Sequence, residues 1–474
     1  MGALSQQTAA VGPSRRLAGL NIGVYGSGGA PWHHLALLAV HGAEVAVVRA
    51  EDVAAGRLED LDALIVPGGG ATAMAGLVTP LGEAGATAIR QWVERGGTYV
   101  GSCAGSVIPV ALTGAADAAV PAARCLRLVN VPLANTGDET LGGLASPGVG
   151  RIRVRLDGMH PFSAGLPETI DLVHYNGPLF DVGRASREVE PFAWPVSATD
   201  DFTHAEDFLA SRSTASDKTL ERCIGLGAAT GVVAPVGAGR ALLFGSHPEF
   251  GLNALGLGWA DGEKLLVRAL EVALSERAGS AKMPLTWRTR PTRRSASTAA
   301  KAQDAVNSLS RAAERFTALA GADAGEWLAP GIAAEFHGTP APRAWQLELS
   351  AAAEACEAAA RDLADICEQD ALSIDARWLD DAQRPDQDFG AMGLLQVAAK
   401  IHSQLDSAER SLSLPPVRPA HAYDLFDSHP FHLAMGSYLS AAGMAAAALL
   451  TVTVMTAGRG KLSAATQRLL WKGT

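Results

Sequence analysis

The stretch GTYVGSCAGS, Gly97 to Ser106, decides the fold that this sequence predicts. An apolar run ending in Val100 leads straight into Cys103, and a glycine stands two positions to either side of the cysteine. A side chain displayed on a tight turn between a strand and a helix needs such small neighbours, because larger ones would collide across the turn. The pattern therefore predicts a strand of an α/β sheet with Cys103 at its end. A buried cysteine without a chemical role is the simpler alternative, since free cysteines are among the most buried side chains.

Short β-branched runs alternate with glycine loops and amphipathic segments on both sides of this stretch. Strands are predicted over 21–26, 43–48, 63–70, 98–103, 151–156, 231–236 and 240–246, and helices over 33–41, 80–95 and 263–274. Strands that alternate with helices are typical of right-handed crossovers and of a parallel sheet. We therefore predict an α/β domain over residues 17–277.

The rest of the chain has a different character. Residues 278–298 carry only basic charges and include prolines at 284 and 291, which predicts an exposed linker. Beyond it, small and apolar residues recur at alternating spacings of three and four, from Ala302 to Ala320 and from Trp345 to Ile366. Such seams predict helices packed side by side, in an all-α helical bundle over residues 299–474. Residues 1–16 lack an apolar run and predict a disordered tail.

One segment of the predicted bundle is unusually apolar. Phe431 to Gly458 contains no Asp, Glu, Lys or Arg and is long enough to span a bilayer. It is rich in Ala, Gly, Ser and Thr rather than Leu, Ile and Phe, so the free energy of its transfer into lipid would be marginal. We favour a buried bundle helix and keep membrane contact through 431–458 as the alternative.

The composition narrows the classes of function. A net charge of −10 and a pI of about 5.7 argue against a nucleic-acid partner, which would require a basic surface. The five cysteines are odd in number and show no CxxC spacing, which indicates free thiols in a reducing cytoplasm rather than disulfides or a zinc site. We expect no metal and no cofactor.

A base for the thiol is found near the end of the α/β domain. FGSHPEFG, Phe244 to Gly251, follows a predicted strand and supplies His247 and Glu249 two residues apart. A histidine can take a thiol proton, and a carboxylate can fix its tautomer and stabilise the imidazolium. Alone, this pair would indicate no more than a capped loop.

Taken together, GSCAGS, LIVPGGG and GSHPEFG resemble the class I glutamine amidotransferase-like superfamily, whose Cys, His and Glu occur in this chain order. GVYGSGGAP, VPGGGATAM and HYNGPLF (174–180) bring the sequence nearest to the N-terminal domain family of biotin–protein ligases. The resemblance covers about residues 20–274 and implies a flavodoxin-like parallel sheet. It also implies a triad in which Cys103 is the nucleophile, His247 the base and Glu249 the orienting carboxylate.

The resemblance further implies how a substrate would be held. The backbone N–H groups of Ala104 and of the Gly69/Gly70 turn would form an oxyanion hole, because a glycine run lets the backbone approach closely. Tyr175 and Asn176 would line the substrate site.

Two positions depart from the family pattern. Ser106 and Val107 stand where working glutaminases of this class usually carry a polar pair, often ending in Gln, and no biotin-transferring domain is present. We therefore expect a cysteine-dependent amidase, hydrolase or amidotransferase-like enzyme that acts on an amide or related carbonyl of a small molecule or peptide through a thioester. The alternative is a catalytically silent binding or regulatory module whose helical domain docks a protein partner or the membrane.

Overall fold

The computed structural model describes six main ranges of the chain. These are 16–110 apart from 30 and 70–72, 122–136, 144–208 apart from 201, 218–250, 260–275 and 296–321, together with scattered positions between 354 and 463.

The parallel part of a ten-stranded sheet holds the strands that the opening stretch predicted. Its strands are β1 (Asn21–Tyr25), β2 (Glu44–Val48), β3 (Ala63–Val66), β4 (Thr98–Ser102) and β10 (Gly239–Phe244). They lie side by side in the order β2-β1-β3-β4-β10, which is the strand order of flavodoxin-like sheets. β1, β3 and β4 are buried along their whole length, as strands covered by helices on both faces must be.

The second part of the sheet is antiparallel. It contains β5 (Gly148–Leu156), β6 (Thr169–Tyr175), β7 (Glu190–Ala198), β8 (Thr203–His204) and β9 (Gly231–Val236). The order continues β10-β9-β7-β5-β6, with β8 beside β5. The predicted parallel arrangement thus holds from β2 to β10, and the sheet as a whole is mixed. The change of direction follows from the sequence between β9 and β10, because the two residues Gly237 and Ala238 are too few for a crossover.

Helices cover both faces of the parallel part. They are α1 (Trp32–Val40), α2 (Ala50–Ala54), α3 (Ala73–Glu94), α4 (Ala104–Val107), α5 (Ala123–Leu126), α6 (Thr219–Gly225) and α7 (Asp261–Ala273). Short 3₁₀ turns lie at Arg57–Asp60 and Ala205–Phe208. α1 and α7 belong to one apolar cluster, and α3 and α4 to a second cluster on the other face. Alternate strand residues divide between them, with Ile65 in the first and Leu64 in the second.

The second half of the chain is described only in part. A helix, α8 (Ala296–Gly321), begins within the last residues of the predicted linker. It contacts a further helical segment, since His402 Nε2 lies 3.0 Å from the Ser308 carbonyl oxygen and Arg315 pairs with Asp406 at 3.1 Å. Most of the predicted bundle, the tail and segment 431–458 lie outside the described residues. Within the described ranges, no helix combines the length and apolar character needed to cross a membrane.

Candidate active site

Cys103 occupies a strained turn between β4 and α4. Its φ and ψ are 49° and −118°, in a region that residues other than glycine rarely adopt. A Cβ atom on Gly101 would lie 2.4 Å from the Gly105 carbonyl oxygen, and one on Gly105 would lie 2.0 Å from the Val66 carbonyl oxygen. The two glycines therefore allow the turn to close on itself and on the end of β3, as the sequence predicted.

Hydrogen bonds fix the turn on its other sides. The backbone N–H of Cys103 donates to the Phe244 carbonyl at the end of β10, at 2.9 Å. The hydroxyl of Ser106 donates to the Cys103 carbonyl at 2.6 Å, and the hydroxyl of Tyr99 donates to the Gly105 carbonyl at 2.6 Å. Cys103 is consequently held by β4, β10 and the first turn of α4 together.

His247 and Glu249 form a buried pair just beyond β10. The Nδ1 atom of His247 lies 2.8 Å from Oε1 of Glu249, and the two side chains are 8% and 2% exposed. The backbone N–H of His247 donates to the Val173 carbonyl at 2.8 Å, and the Phe250 ring stacks on the imidazole with centroids 4.5 Å apart. The imidazole is thus fixed on one nitrogen, on one face and through its own backbone.

Each residue of this pair stabilises the charged form of the other. Burial alone would lower the pKa of His247, but Glu249 and Cys103 outweigh it and raise the pKa to about 10. Burial alone would raise the pKa of Glu249, but His34 and His247 hold it down, at about 2. Both directions favour an imidazolium beside a carboxylate.

Cys103 and His247 come together on the two sides of Gly68. A side-chain hydrogen bond to Cys103 is among the interactions that raise the pKa of His247. A Cβ atom on Gly68 would lie 2.7 Å from the imidazole Cε1 and 3.5 Å from the cysteine Cβ. The sequence predicted a role for Gly69 and Gly70 and none for Gly68. The only feature of the sequence that points to Gly68 is that it is the first residue of the glycine run.

Two of the three residues predicted to form the oxyanion hole, Ala104 and Gly69, are described by the structure. Ala104 is the first residue of α4 and is buried next to Cys103. Gly69 forms a β-bridge with Gly29, so the turn after β3 is tied to the turn after β1. Gly70 lies outside the described residues.

Tyr175 and Asn176 end strand β6 beside the thiol. The Sγ atom of Cys103 lies 3.6 Å from the Tyr175 carbonyl oxygen, within donor distance for a thiol. Asn176 has a φ of 55°, its backbone N–H donates to the Gly148 carbonyl at 3.0 Å, and its side chain is hydrogen-bonded to Ser146. The structure therefore places Tyr175 against the thiol, and Asn176 is the next residue along the chain.

A second histidine contacts the pair from helix α1. The Nε2 atom of His34 lies 3.6 Å from Oε2 of Glu249 and 3.2 Å from the hydroxyl oxygen of Ser102. Burial, the largest influence, lowers the pKa of His34. The sequence does not predict this contact, because nothing in the order of residues links His34 to Glu249.

An open cavity lies apart from these residues. That cavity, of about 550 Å³, is lined by Arg151, Arg153, Thr169, Ile170, Asp171, Ala260 and Asp261. It contains none of the residues predicted to be catalytic, and Arg153 is paired there with Asp171 at 3.1 Å. Among the described residues, no group of three or more His, Cys, Asp or Glu side chains is arranged to hold a metal ion.

The segment around Cys103 matches a known family. Residues 36–110 match the family model for the N-terminal part of biotin–protein ligase. The predicted resemblance to that family is confirmed over this segment. The biotin–protein ligase match includes Gly68, Gly69 and the turn at Cys103, whereas His247 and Glu249 lie beyond it.

The solved structures that resemble this chain do so at low sequence identity. A putative GMP synthase subunit from Thermoplasma acidophilum has 14% identity and a TM-score of 0.34, covering 55% of this chain and 96% of that one. A glutamine amidotransferase from Thermotoga maritima has 13% identity and a TM-score of 0.29, covering 57% and 90%. A cytoplasmic protein from Salmonella typhimurium has 13% identity and a TM-score of 0.33, covering 54% and 98%. No curated protein matches the sequence.

Proposed function

We propose that this protein is a cysteine-dependent amidase or amidotransferase-like enzyme that transfers an acyl group through a thioester. The observation that carries the proposal is the position of His247, whose Nδ1 lies 2.8 Å from Glu249 Oε1 and whose imidazole shares the space beside Gly68 with Cys103. Cys103 is also among the groups that raise the pKa of His247. A nucleophile, a base in hydrogen-bond reach and a third group that orients the base are the components of a catalytic triad.

The chemistry follows from these positions. In the resting pair the proton of the Cys103 thiol resides on His247 as the imidazolium, and the thiolate attacks the carbonyl carbon of an amide. The negative oxygen of the tetrahedral intermediate would be bound by the backbone N–H groups of Ala104 and of the turn at Gly69. His247 then gives its proton to the leaving amine as the carbon–nitrogen bond breaks and the thioester forms. Water, deprotonated by His247, attacks the thioester and releases the carboxylic acid and the free thiol.

Glutamine is not the substrate that the site favours. The hydroxyl of Ser106 donates to the Cys103 carbonyl, and Val107 is 2% exposed within the apolar cluster of α3 and α4. The two positions that usually serve glutamine in this class are therefore occupied by contacts inside the protein. We propose a small-molecule or peptide amide other than glutamine. A cytoplasmic setting fits the proposal, because Cys103, Cys125 and Cys223 are free thiols and a reducing compartment keeps such thiols reduced.

The proposal is tested without knowledge of the substrate. The rate at which iodoacetamide alkylates each cysteine is measured against pH by peptide mass spectrometry, in the wild type, His247→Ala and Glu249→Gln. We expect the rate at Cys103 to rise with a midpoint well below the value of about 8.5 for a free thiol. Each substitution should move the midpoint upward.

An internal control comes from the same samples. Burial raises the pKa of Cys223 to about 11, so this thiol should stay unreactive in all three proteins. A midpoint near that of a free thiol, unchanged in His247→Ala, would refute the proposed enzyme and favour the silent binding module.

A further inference from the structure

We propose that His34 is a positioning residue for Glu249, so that the triad depends on a fourth side chain supplied by helix α1. This inference rests on the proposed function, because it concerns how the base of the proposed triad is held.

The second carboxylate oxygen of Glu249, Oε2, is the atom that such a residue would stabilise. Oε1 is engaged by His247, whereas Oε2 is buried and has no hydrogen-bond partner among the described residues. The Nε2 atom of His34 faces Oε2 at 3.6 Å, just beyond hydrogen-bond distance. A buried carboxylate oxygen without a donor is costly, so a donor that approaches it by a few tenths of an ångström would be stabilising.

His34 reaches two elements of the site at once. The same Nε2 atom lies 3.2 Å from the hydroxyl oxygen of Ser102, the residue directly before the nucleophile. The side chain is completely buried on α1, and it spans the end of β4 and the turn after β10. Contacts therefore form a closed circuit from Cys103 to His247, Glu249, His34 and Ser102, which is bonded to Cys103.

The charge state of His34 suits this role. Burial lowers its pKa, Glu249 raises it and His247 lowers it, with burial the largest of the three. A neutral imidazole can offer an N–H group to the carboxylate without neutralising it. Glu249 then keeps its full negative charge for the imidazolium of His247, while its side chain is held in the rotamer that places Oε1 on Nδ1.

Two substitutions distinguish the effect of the His34 hydrogen-bond donor from the effect of the volume that the side chain fills. His34→Leu removes the N–H donor and fills most of the same buried volume with an apolar side chain. His34→Gln retains an N–H donor. His41→Leu is the matched control, because His41 is equally buried and follows the last turn of the same helix. For each protein, the pH midpoint of Cys103 alkylation and the free energy of unfolding are measured.

We expect His34→Leu to raise the alkylation midpoint by about one pH unit, as expected for the loss of a hydrogen-bond donor of about 1–1.5 kcal/mol. His34→Gln should restore most of the shift. His41→Leu should lose stability and leave the midpoint at the wild-type value. In a Glu249→Gln background, His34→Leu should add no further shift, because the two residues would act through the same contact.

The outcomes distinguish this inference from the proposed function. A low midpoint in the wild type that neither His34 variant changes would overturn the role of His34 and leave the triad standing. A shift that His34→Gln fails to restore, or that adds fully to the Glu249→Gln shift, would also overturn it, because the effect would then come from packing. A wild-type midpoint of an ordinary thiol would overturn both.

Discussion

Replacement of Gly105 by alanine tests whether close backbone packing builds the cysteine turn. An added Cβ would lie 2.0 Å from the Val66 carbonyl oxygen and 2.7 Å from that of Pro67, where real Cβ contacts stay beyond 3.0 Å. The start of α4 would have to move away from β3 by about 1 Å, and both obstacles are backbone atoms that no rotamer change can remove. Overpacking of this kind costs about 1–3 kcal/mol, and we expect a value of about 3 kcal/mol because backbone must shift.

Urea and thermal denaturation of the whole chain measure this loss. For a domain of this size, it corresponds to a fall in Tm of about 6–12 °C. The displacement of α4 should also slow the alkylation of Cys103. Gly225→Ala serves as the control, since a Cβ at the end of α6 meets no atom within 4 Å and should change stability by less than about 1 kcal/mol. If Gly105→Ala unfolds within about 0.5 kcal/mol of the wild type, the close-packing explanation of the turn is wrong.

Three further substitutions test burial, core packing and surface charge. Burial lowers the pKa of His174 to about 3, so between that value and about 6.5 the unfolded chain binds a proton that the native state does not. The contribution of His174 to stability is therefore fully present above pH 6.5 and is lost as the pH falls below it. His174→Gln should lose about 2 kcal/mol less than the wild type between pH 7 and 5, and parallel urea-denaturation profiles would contradict this. Phe244→Ala removes a ring that is 1% exposed and should lower the free energy of unfolding by about 3–5 kcal/mol, measured in urea. Arg95→Ala breaks an exposed pair with Glu59 and should cost less than about 1 kcal/mol in the same assay.

The parallel strands could be predicted because their sequences carry the signal locally. β1, β3 and β4 are β-branched runs between glycine turns, and helices bury both of their faces. β7 was not predicted, because Pro191 and Pro195 argue against a strand interior. The sheet accommodates the first of them where its register with β9 shifts, between Pro191 and Ala193. β6 was also missed, because its last residues run into a sequence that is typical of a turn.

The sequence of β5 does not reveal its neighbours in the sheet. Arg151, Arg153 and Arg155 alternate along the strand, a pattern that is typical of a solvated strand at the edge of a sheet. Their face is solvated, and Arg153 and Arg155 are exposed. The strand lies inside the sheet, however, between β7 and β6, and Arg155 covers the ring of Trp194 at 4.5 Å. Alternation reports which face meets water and carries no information on lateral pairing.

The candidate site shows the same limit. The glycines around Cys103 indicate a turn. His247 and Glu249 are only two residues apart, so the sequence alone suggests that they act together. The contact between His34 and Glu249 depends on how α1 packs against the end of β10, which only the fold determines. Gly68 was missed for the same reason, because its importance arises from the approach of His247 across the sheet.

The place of β10 also affects how the protein is made. A ribosome produces β1 to β4 early, and these strands can pair with one another at once, but the second partner of β4 is β10. At about 5–20 residues per second, the synthesis of the intervening chain takes roughly ten to thirty seconds. During this time β4, which leads into Cys103, has an open edge, of the kind that pairs with strands of other chains. Cys103 is therefore synthesised well before the strand that completes its surroundings. In the interval, aggregation of the nascent chain competes with folding.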